Sequence, residues 1–242
     1  MKKWLFVTSL LFLRSAHCDE PIRLHFHERP PFYISAKGKL AGIVGQIAHD
    51  TFDRANIEYV LLPTPAMRQL IIIKGNNDHS CGVGWFKNQE RIEIAKFTRA
   101  IYKDTPTIVV TRKNHPYLKE KPTIDDLFKN KSLLLLIKNG YSYGKTLDEK
   151  IKLKQPKTRE VSQNTFSMFQ MLTSMRADYM FITREEYDSV VKNSQFIDSQ
   201  FFHYAPTDSP PGECRYIICS RQVPDSVIEK LNQEIPKIGG CD

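Results

Sequence analysis

The amino-acid sequence predicts an α/β protein with two lobes, each a mainly parallel β-sheet flanked by helices. Short apolar strands alternate with helical segments, and this alternation occurs once before residue 105 and again after it. Residues 206–212 are rich in proline and have the composition of a linker, and one more strand and helix follow them. We therefore expect residues 19–105 and 207–242 to form lobe 1 and residues 106–206 to form lobe 2, with two crossings between them.

Lobe 1 is expected to begin with a strand at residues 22–26, in which apolar and polar residues alternate. Pro30 and Pro31 end this strand, because proline cannot donate to a sheet. Residues 42–55 carry Ile43, Ile47 and Phe52 at helical spacing and predict a helix. Strands follow at residues 57–62 and 80–85, which are rich in apolar residues, with a short helix at residues 67–74 between them.

Lobe 2 repeats the alternation on a smaller scale. Strands are predicted at residues 107–111, 133–137 and 179–182, and helices at residues 123–128, 164–175 and 184–192. A loop with two glycines, residues 138–144, leads from the second of these strands into a further helix. After the linker, a strand at residues 215–220 and a helix at residues 224–235, which starts with proline, return to lobe 1.

The first 18 residues are predicted to be a signal peptide. Lys2 and Lys3 precede an apolar run at residues 4–13, and Ala16 and Cys18 occupy the small-residue positions of a cleavage site. The run is shorter than the roughly 20 residues that a membrane span needs. An uncleaved anchor and a lipoprotein acylated at Cys18 are the alternatives, and His17 fits the lipoprotein pattern poorly.

Export leaves four cysteines: Cys81, Cys214, Cys219 and Cys241. An even number in an oxidising compartment permits two disulfides, and three pairings remain open. A buried free thiol at Cys81 is the alternative, because this residue lies in an apolar strand. The spacing of the cysteines matches no metal-site signature.

The charge balance bears on the class of ligand. Loss of the leader takes three of the 35 basic residues, which leaves 32 against 27 acidic ones. These basic residues are dispersed rather than clustered, so no nucleic-acid partner is predicted. A modest positive excess is compatible with an anionic small molecule.

Five segments along the whole chain carry a family resemblance. They are PPF followed by GKLAG (residues 30–42), GVGWFKNQERIEIAKFTRAIYKD (82–104), LLLLIKNGYSYG (133–144), MRADYMFIT (175–183) and VPDSVIEKLNQEI (223–235). In these segments the chain resembles the bacterial periplasmic solute-binding proteins of family 3, the polar amino-acid type. The resemblance implies a periplasmic-binding-protein-like fold whose lobes are joined by two hinge strands. It also implies a periplasmic monomer without a cofactor, which captures a small solute for an ABC-type transporter or a sensor in the inner membrane.

The resemblance implies that Arg91 clamps a carboxylate of the ligand, and a planar guanidinium matches two oxygens as a lysine cannot. The alternative is a surface arginine paired with Glu90 or Glu93. Gly84 is expected to let the backbone approach the ligand, because glycine has no Cβ.

Other ligand contacts are expected from two loops. Lys138, Gly140 and Ser142 lie in the loop before a helix, where backbone N–H groups can bind an anion. Phe32 and Tyr33 are expected to line one wall of the cleft.

Two departures from the family pattern change the expected ligand. Thr183 stands where family members have the aspartate that holds the ligand's ammonium group, and Phe86 replaces a small hydroxyl residue two positions after Gly84. A hydroxyl pairs poorly with an ammonium ion in a dry cleft. We therefore expect a carboxylate-bearing solute, such as an acid without an ammonium group, an aromatic acid or a peptide fragment, rather than a free amino acid.

Two other functions remain as alternatives. One is an enzyme on the same scaffold, an exported dehydratase acting on a cyclic acid, with Glu28, His27, Tyr102 or Lys138 as its acid or base. His25, His27 and Glu28 lie at the end of the first strand, near the expected cleft mouth, where they could supply polar contacts to a ligand or simply be solvated. The other is a sensory or scaffold protein without ligand transport. The sequence shows no nucleophile elbow, metal set or paired-carboxylate motif, so a non-enzymatic protein is predicted.

Overall fold

The computed structural model describes residues 20–193, 196 and 198–241. The predicted signal peptide, residues 1–18, lies outside these residues. Within the described part of the chain, no helix has both the length and the apolar character that crossing a bilayer requires.

The first half contains every strand and helix that the sequence predicts there, together with four further elements at residues 34–36, 39–41, 89–94 and 96–103. In chain order the elements of this half are β1 (Ile22–Phe26), β2 (Ile34–Ala36), β3 (Lys39–Ala41), α1 (Ile43–Arg54), β4 (Tyr59–Pro63), α2 (Ala66–Gly75), β5 (Ser80–Phe86), α3 (Gln89–Ile94) and β6 (Lys96–Lys103). The second half contains β7 (Ile108–Arg112), α4 (Ile124–Lys129), β8 (Leu135–Lys138), α5 (Lys145–Lys154), β9 (Thr158–Val161), α6 (Thr165–Thr173), β10 (Tyr179–Ile182), α7 (Arg184–Asn193), β11 (Phe201–Tyr204), β12 (Cys214–Cys219) and α8 (Asp225–Glu234).

Two five-stranded sheets form the two lobes. The lobe 1 sheet has the order β4-β1-β5-β12-β6, and β12 runs antiparallel to both of its neighbours while β1 pairs in parallel with β4 and β5. In the lobe 2 sheet, ordered β11-β7-β10-β8-β9, β7 is antiparallel to its neighbours and β8 is parallel to β9 and β10. The predicted α/β fold class, with two lobes that each contain a sheet flanked by helices, is confirmed, and both sheets are mixed, since two of the four strand pairings in each are antiparallel.

The lobe 1 core forms where β1, β5 and β12 meet α1 and α8. Leu24, Val83 and Ile217 of the sheet pack in one cluster with Phe52 of α1 and Leu231 of α8. All are buried, which accounts for the apolar pattern that identified these elements.

The lobe 2 sheet is covered on both faces. Val110 packs with Phe169 of α6 on one face, and its neighbour Val109 packs with Phe128 of α4 on the other. Successive side chains of a strand point to opposite faces, so a strand covered on both sides is apolar throughout.

Two disulfides settle the pairing that the sequence left open. Cys81 of β5 is bonded to Cys219 of β12, its partner in the antiparallel ladder, so the alternative of a free thiol at Cys81 is wrong. Cys214 at the start of β12 is bonded to Cys241 and holds the end of the chain against lobe 1.

The chain crosses between the sheets at residues 104–107 and 205–213. The amide of Asp104 donates to the carbonyl of Glu213 at 2.9 Å, so the two connections lie side by side. The cleft between the lobes therefore has a short base from which the ends of both sheets project.

Candidate ligand-binding site

The carboxyl ends of the parallel strands of both sheets face the same cleft. In lobe 1, His27 and Arg29 follow β1, and β5 ends at Phe86. In lobe 2, Lys138 ends β8 and Thr183 follows β10. Ligands of open α/β sheets bind at this edge, so the cleft is the candidate site.

Three adjoining cavities occupy the cleft and enclose about 340, 470 and 290 Å³ of space, part of which is open to solvent. The first, cavity A, is lined by Arg91 and Gly84 of lobe 1 and by Gly140 and Ser142 of lobe 2, among others. Cavity B lies towards the connections between the lobes and cavity C lies towards α6 and α7. Arg29 and Tyr141 border all three cavities and so separate them.

Arg91 is buried, with 6% of its surface exposed, and it is one of the residues that line cavity A. It follows the start of α3, where Asn88 caps the helix by accepting from the Arg91 amide at 2.9 Å. Nη1 donates to the Phe86 carbonyl at 3.0 Å, and the guanidinium lies 4.8 Å from the centre of the Trp85 ring. These contacts fix the orientation of the side chain.

No carboxylate neutralises Arg91 directly. Among the described residues, no carboxylate oxygen lies within 4.0 Å of the guanidinium nitrogens, so the alternative pairing with Glu90 or Glu93 is wrong. Burial lowers the pKa of Arg91, and the negative charges of Asp148 and Glu90 act against that shift. The site thus contains a buried cation whose charge is only partly compensated.

Gly84 is the bulged residue of β5. Its neighbours Val83 and Trp85 pair with consecutive residues of β12, and Gly84 itself has a φ of 78°. The Tyr33 hydroxyl donates to the Gly84 carbonyl at 3.1 Å, and a Cβ on Gly84 would lie 1.8 Å from that hydroxyl. The close approach that requires glycine here is therefore to Tyr33, although Gly84 also borders cavity A.

Arg215 and Asp104 form a buried ion pair beside Gly84. Nε and Nη2 of Arg215 each donate to one Asp104 oxygen at 2.6 Å, and Nη1 donates to the Gly84 carbonyl at 3.1 Å. The guanidinium lies between the rings of Phe32 and Phe86, 4.8 and 4.6 Å from their centres. The positive charge of Arg215 is thus neutralised within the protein.

The loop before α5 uses some of its backbone N–H groups internally. The amides of Lys138, Asn139, Tyr141 and Tyr143 donate to protein oxygens, and α5 begins only at Lys145. The expected anion contact therefore depends on the amides of Gly140 and Ser142, which border cavity A, and it stays a prediction.

Residues of this loop do reach the cleft. Gly140 and Ser142 border cavity A, and the Ser142 hydroxyl donates to Asp148. Lys138 borders cavity C, where burial is the main cause that lowers its pKa to about 8, with a further contribution from the positive charge of Arg29. Its ammonium lies 4.5 Å from the centre of the Tyr141 ring.

The other predicted residues occupy different positions. Thr183 borders cavity B, and its hydroxyl accepts from the Glu186 amide at 3.3 Å at the start of α7. Phe86 borders cavities A and B. Phe32 is fully buried in the lobe 1 core and borders none of the three, because Arg29 and Arg215 cover its ring.

Of His25, His27 and Glu28, the residues expected near the cleft mouth, only His27 lines cavity A. Its Nε2 lies 2.5 Å from the Tyr141 hydroxyl of lobe 2. Burial lowers the pKa of His27 to about 3, and the nearby cations Arg29 and Lys138 add to this shift. His25 is enclosed between Thr64 and Ser80 inside lobe 1.

Glu28, the other residue expected near the cleft mouth, points away from it and is exposed. Its carboxylate accepts from the Ser35 amide at 3.0 Å in the β2–β3 hairpin. It is therefore not placed to act on a molecule in the cleft.

Arg29 and Glu186 join the lobes across the cleft. Nε and Nη2 of Arg29 donate to the two Glu186 oxygens at 2.7 and 2.6 Å, and the side chains are 14% and 3% exposed. The Arg29 guanidinium also lies 4.8 Å from the centre of the Tyr141 ring. These contacts keep the two lobes together.

Sequence reasoning did not identify Arg29, Tyr141, Glu186, Asp104 or Arg215 as site residues. Arg29 directly precedes Pro30 at the end of the first strand, and Arg215 opens an otherwise apolar strand. Those two positions are the signals in the sequence that point to arginines outside the usual exposed surface. Among the described residues, no cluster of three or more His, Cys, Asp or Glu side chains is arranged to hold a metal ion.

Comparison with solved structures relates the fold to known proteins. The substrate-binding protein of an amino acid ABC transporter is 16% identical, with a TM-score of 0.66 over 88% of this chain and 91% of that one. The arginine-, lysine-, histidine-binding protein ArtJ from Geobacillus stearothermophilus is 16% identical, with a TM-score of 0.69 over 89% and 88%. This chain has the two-lobed fold of substrate-binding proteins. No protein-family model and no curated protein sequence matches the chain.

A third solved structure has the same fold. It belongs to work on glutathione import via GshT and the cystine ABC importer TcyBC of Streptococcus mutans, and it is 13% identical, with a TM-score of 0.70 over 89% of this chain and 87% of that one. The first two of these proteins are described as binding proteins. The fold that the sequence resemblance implied is therefore confirmed.

Proposed function

We propose that this protein is an exported binding protein that captures a small carboxylate-bearing solute between its lobes. It presents the solute to an ABC-type transporter permease or a sensor in the inner membrane and acts in the periplasm as a monomer. The observation that supports this most is Arg91, a buried arginine that lines cavity A without a carboxylate partner.

A buried cation without a partner is costly, and a ligand that neutralises it gains the interaction that the protein alone lacks. A carboxylate suits the free edge of a guanidinium, because two parallel N–H groups meet two oxygens. Trp85 adds a flat surface beside this edge, with its Nε1 held by Gln69 Oε1 at 3.1 Å.

The acidic residues of the cleft support a ligand without an ammonium group. Asp104 is bound to Arg215, and Glu186 is bound to Arg29. Asp148 accepts from the Ser142 hydroxyl and the Tyr143 amide. Since each of these three carboxylates already accepts from protein donors, an ammonium ion entering the cleft would have to compete with those donors, and its desolvation is less well compensated.

Thermal-shift measurements with organic acids, amino acids and short peptides test the proposal. We expect a simple carboxylic acid to raise the melting temperature of the wild-type protein and to have no effect on Arg91→Ala. Arg99→Ala is the matched control, because it removes an exposed arginine of the same lobe, and it keeps the ligand response. An equal ligand response in Arg91→Ala and the wild type contradicts the role of Arg91.

A second measurement addresses catalysis. The proposal expects the solute to be released chemically unchanged after hours with the protein, as mass spectrometry of the recovered ligand would show. Conversion of the solute supports the dehydratase alternative instead. Native mass spectrometry of the protein from its own cell envelope identifies the natural ligand.

A further inference from the structure

The Arg29 guanidinium occupies the middle of the cleft, at the point where cavities A, B and C meet. It belongs to lobe 1, but its ion-pair partner Glu186 belongs to lobe 2. A group in this position holds space between the lobes that a bound molecule would otherwise fill.

The surroundings of Arg29 have the composition of a guanidinium-binding site. Glu186 receives two parallel N–H groups at 2.7 and 2.6 Å, which is the fork geometry that a guanidinium prefers. The ring centres of Tyr141 and Phe32 lie 4.8 and 5.4 Å from the guanidinium carbon and supply aromatic faces for a cation. Carboxylate and rings come from both lobes, as in a site that closes on its ligand.

Glu186 is built into the protein independently of Arg29. Glu186 is 2% exposed, and its amide donates to the Thr183 hydroxyl at the first turn of α7. Without Arg29, this carboxylate would be a buried charge whose other nearby cation is Lys138, which borders the same cavity C. The acceptor therefore remains in place when the side chain of Arg29 is shortened.

We propose that Arg29 is a tethered ligand group that fills a cation subsite formed by Glu186, Tyr141 and Phe32. By occupying this subsite, it excludes solutes that carry a guanidinium or ammonium group and restricts the cleft to anions. Arg29 is thus the residue that determines ligand specificity. This inference deepens the proposed function and rests on the cleft being a binding site, but it concerns a different residue and a ligand of opposite charge.

The test is to empty the subsite and offer a free guanidinium. Arg29→Ala is heated with methylguanidinium chloride at about 10 mM, against the same concentration of sodium chloride and of methylammonium chloride. We expect methylguanidinium to raise the melting temperature of Arg29→Ala by about 2 °C or more, and methylammonium to raise it less because it lacks the planar fork. The wild-type protein is expected to give no rise.

Two double variants identify the groups involved. Arg29→Ala/Glu186→Gln keeps the empty space but removes the acceptor, and it is expected to lose the response. Arg29→Ala/Lys138→Met removes the other cation near Glu186, and it is expected to respond at least as strongly as Arg29→Ala.

Three outcomes overturn the proposal. They are a response of the wild-type protein equal to that of Arg29→Ala, a response that persists after Glu186→Gln, and the absence of a response in both Arg29→Ala and Arg29→Ala/Lys138→Met. If Arg29→Ala does not fold in buffer, refolding with methylguanidinium is expected to restore its native circular dichroism, and a failure to do so also counts against the proposal.

The outcome is separable from that for Arg91. Failure of Arg91→Ala to lose carboxylate binding refutes the proposed clamp while leaving the methylguanidinium response of Arg29→Ala intact. Absence of that response refutes the cation subsite even where carboxylate binding depends on Arg91.

Discussion

Arg215 and Asp104 form a two-pronged ion pair, with both nitrogen–oxygen distances 2.6 Å, at the place where the chain passes between the lobes. Asp104 directly follows β6, and Arg215 lies in β12, after the second connection. A Cβ on Gly212 would lie 1.7 Å from the Asp104 carbonyl, so the second connection packs tightly against the first. Nη1 of Arg215 also donates to the Tyr33 hydroxyl and to the Gly84 carbonyl. The pair thus joins the base of the cleft to Gly84 and Tyr33.

Asp104→Asn is expected to destabilise the protein by about 3–5 kcal/mol, because it leaves the buried Arg215 without a counter-charge. The side chains of Arg215 and Asp104 are 3% and 5% exposed, so solvent cannot replace the lost partner. Urea denaturation of the two proteins measures the difference in the free energy of unfolding.

The matched control is Glu234→Gln, which removes an ion pair on the surface of the same lobe. Arg54 and Glu234 are 49% and 35% exposed and 3.4 Å apart, so its loss is expected to cost less than about 1 kcal/mol. Equal costs for the two variants would show that the Arg215 pair contributes no more than a surface contact.

The strand and helix pattern was predictable where one face of an element is apolar. The strands at 22–26 and 179–182 agree with β1 and β10. The edge strand β9 was missed, because three of its four residues are exposed and hydropathy carries no signal for them. The helix α3 has only six residues, too few to show a helical period.

The candidate site was predictable only in part. Arg91, Gly84, Gly140 and Ser142 were expected to lie together, and all of them border cavity A. The ion pairs were not predictable, because their members are far apart along the chain. Arg29 and Glu186 are separated by 157 positions, and only the folded topology brings them together.

Gly84→Ala is expected to destabilise the protein strongly. A left-handed conformation costs a residue with a Cβ about 1–2 kcal/mol, and the new methyl group would also meet the Tyr33 hydroxyl at 1.8 Å, which adds about 1–3 kcal/mol of overpacking. Urea denaturation measures the total loss in the free energy of unfolding.

Gly38→Ala separates the two causes. Gly38 has a φ of 75°, close to that of Gly84, but a Cβ there would have no atom within 4 Å. This variant is therefore expected to lose only the conformational part, about 1–2 kcal/mol. A loss in Gly84→Ala no larger than in Gly38→Ala would contradict the tight contact with Tyr33.

His27 is expected to make the stability of the protein depend on pH. Trp85 can only donate, so Gln69 must turn its oxygen towards Trp85 and its amide nitrogen towards Nδ1 of His27, 3.4 Å away. Nδ1 is thus the acceptor, and Nε2 carries the hydrogen that points to Tyr141. Protonation would place an N–H group against the Gln69 amide, which agrees with the lowering of the His27 pKa to about 3.

His27→Gln tests this dependence. Below pH 6.5 the unfolded chain binds a proton at His27, while the folded protein keeps the imidazole neutral until the pH falls to about 3. Folding therefore loses up to about 1.4 kcal/mol per pH unit through this residue as the pH falls across that window, and the loss is absent above it. Urea denaturation between pH 7.5 and about 4.5 should show the free energy of unfolding of the wild type falling more steeply than that of His27→Gln. Parallel curves for the two proteins would mean that His27 is protonated in the folded and unfolded states alike, and that its contact with Tyr141 does not require a neutral ring.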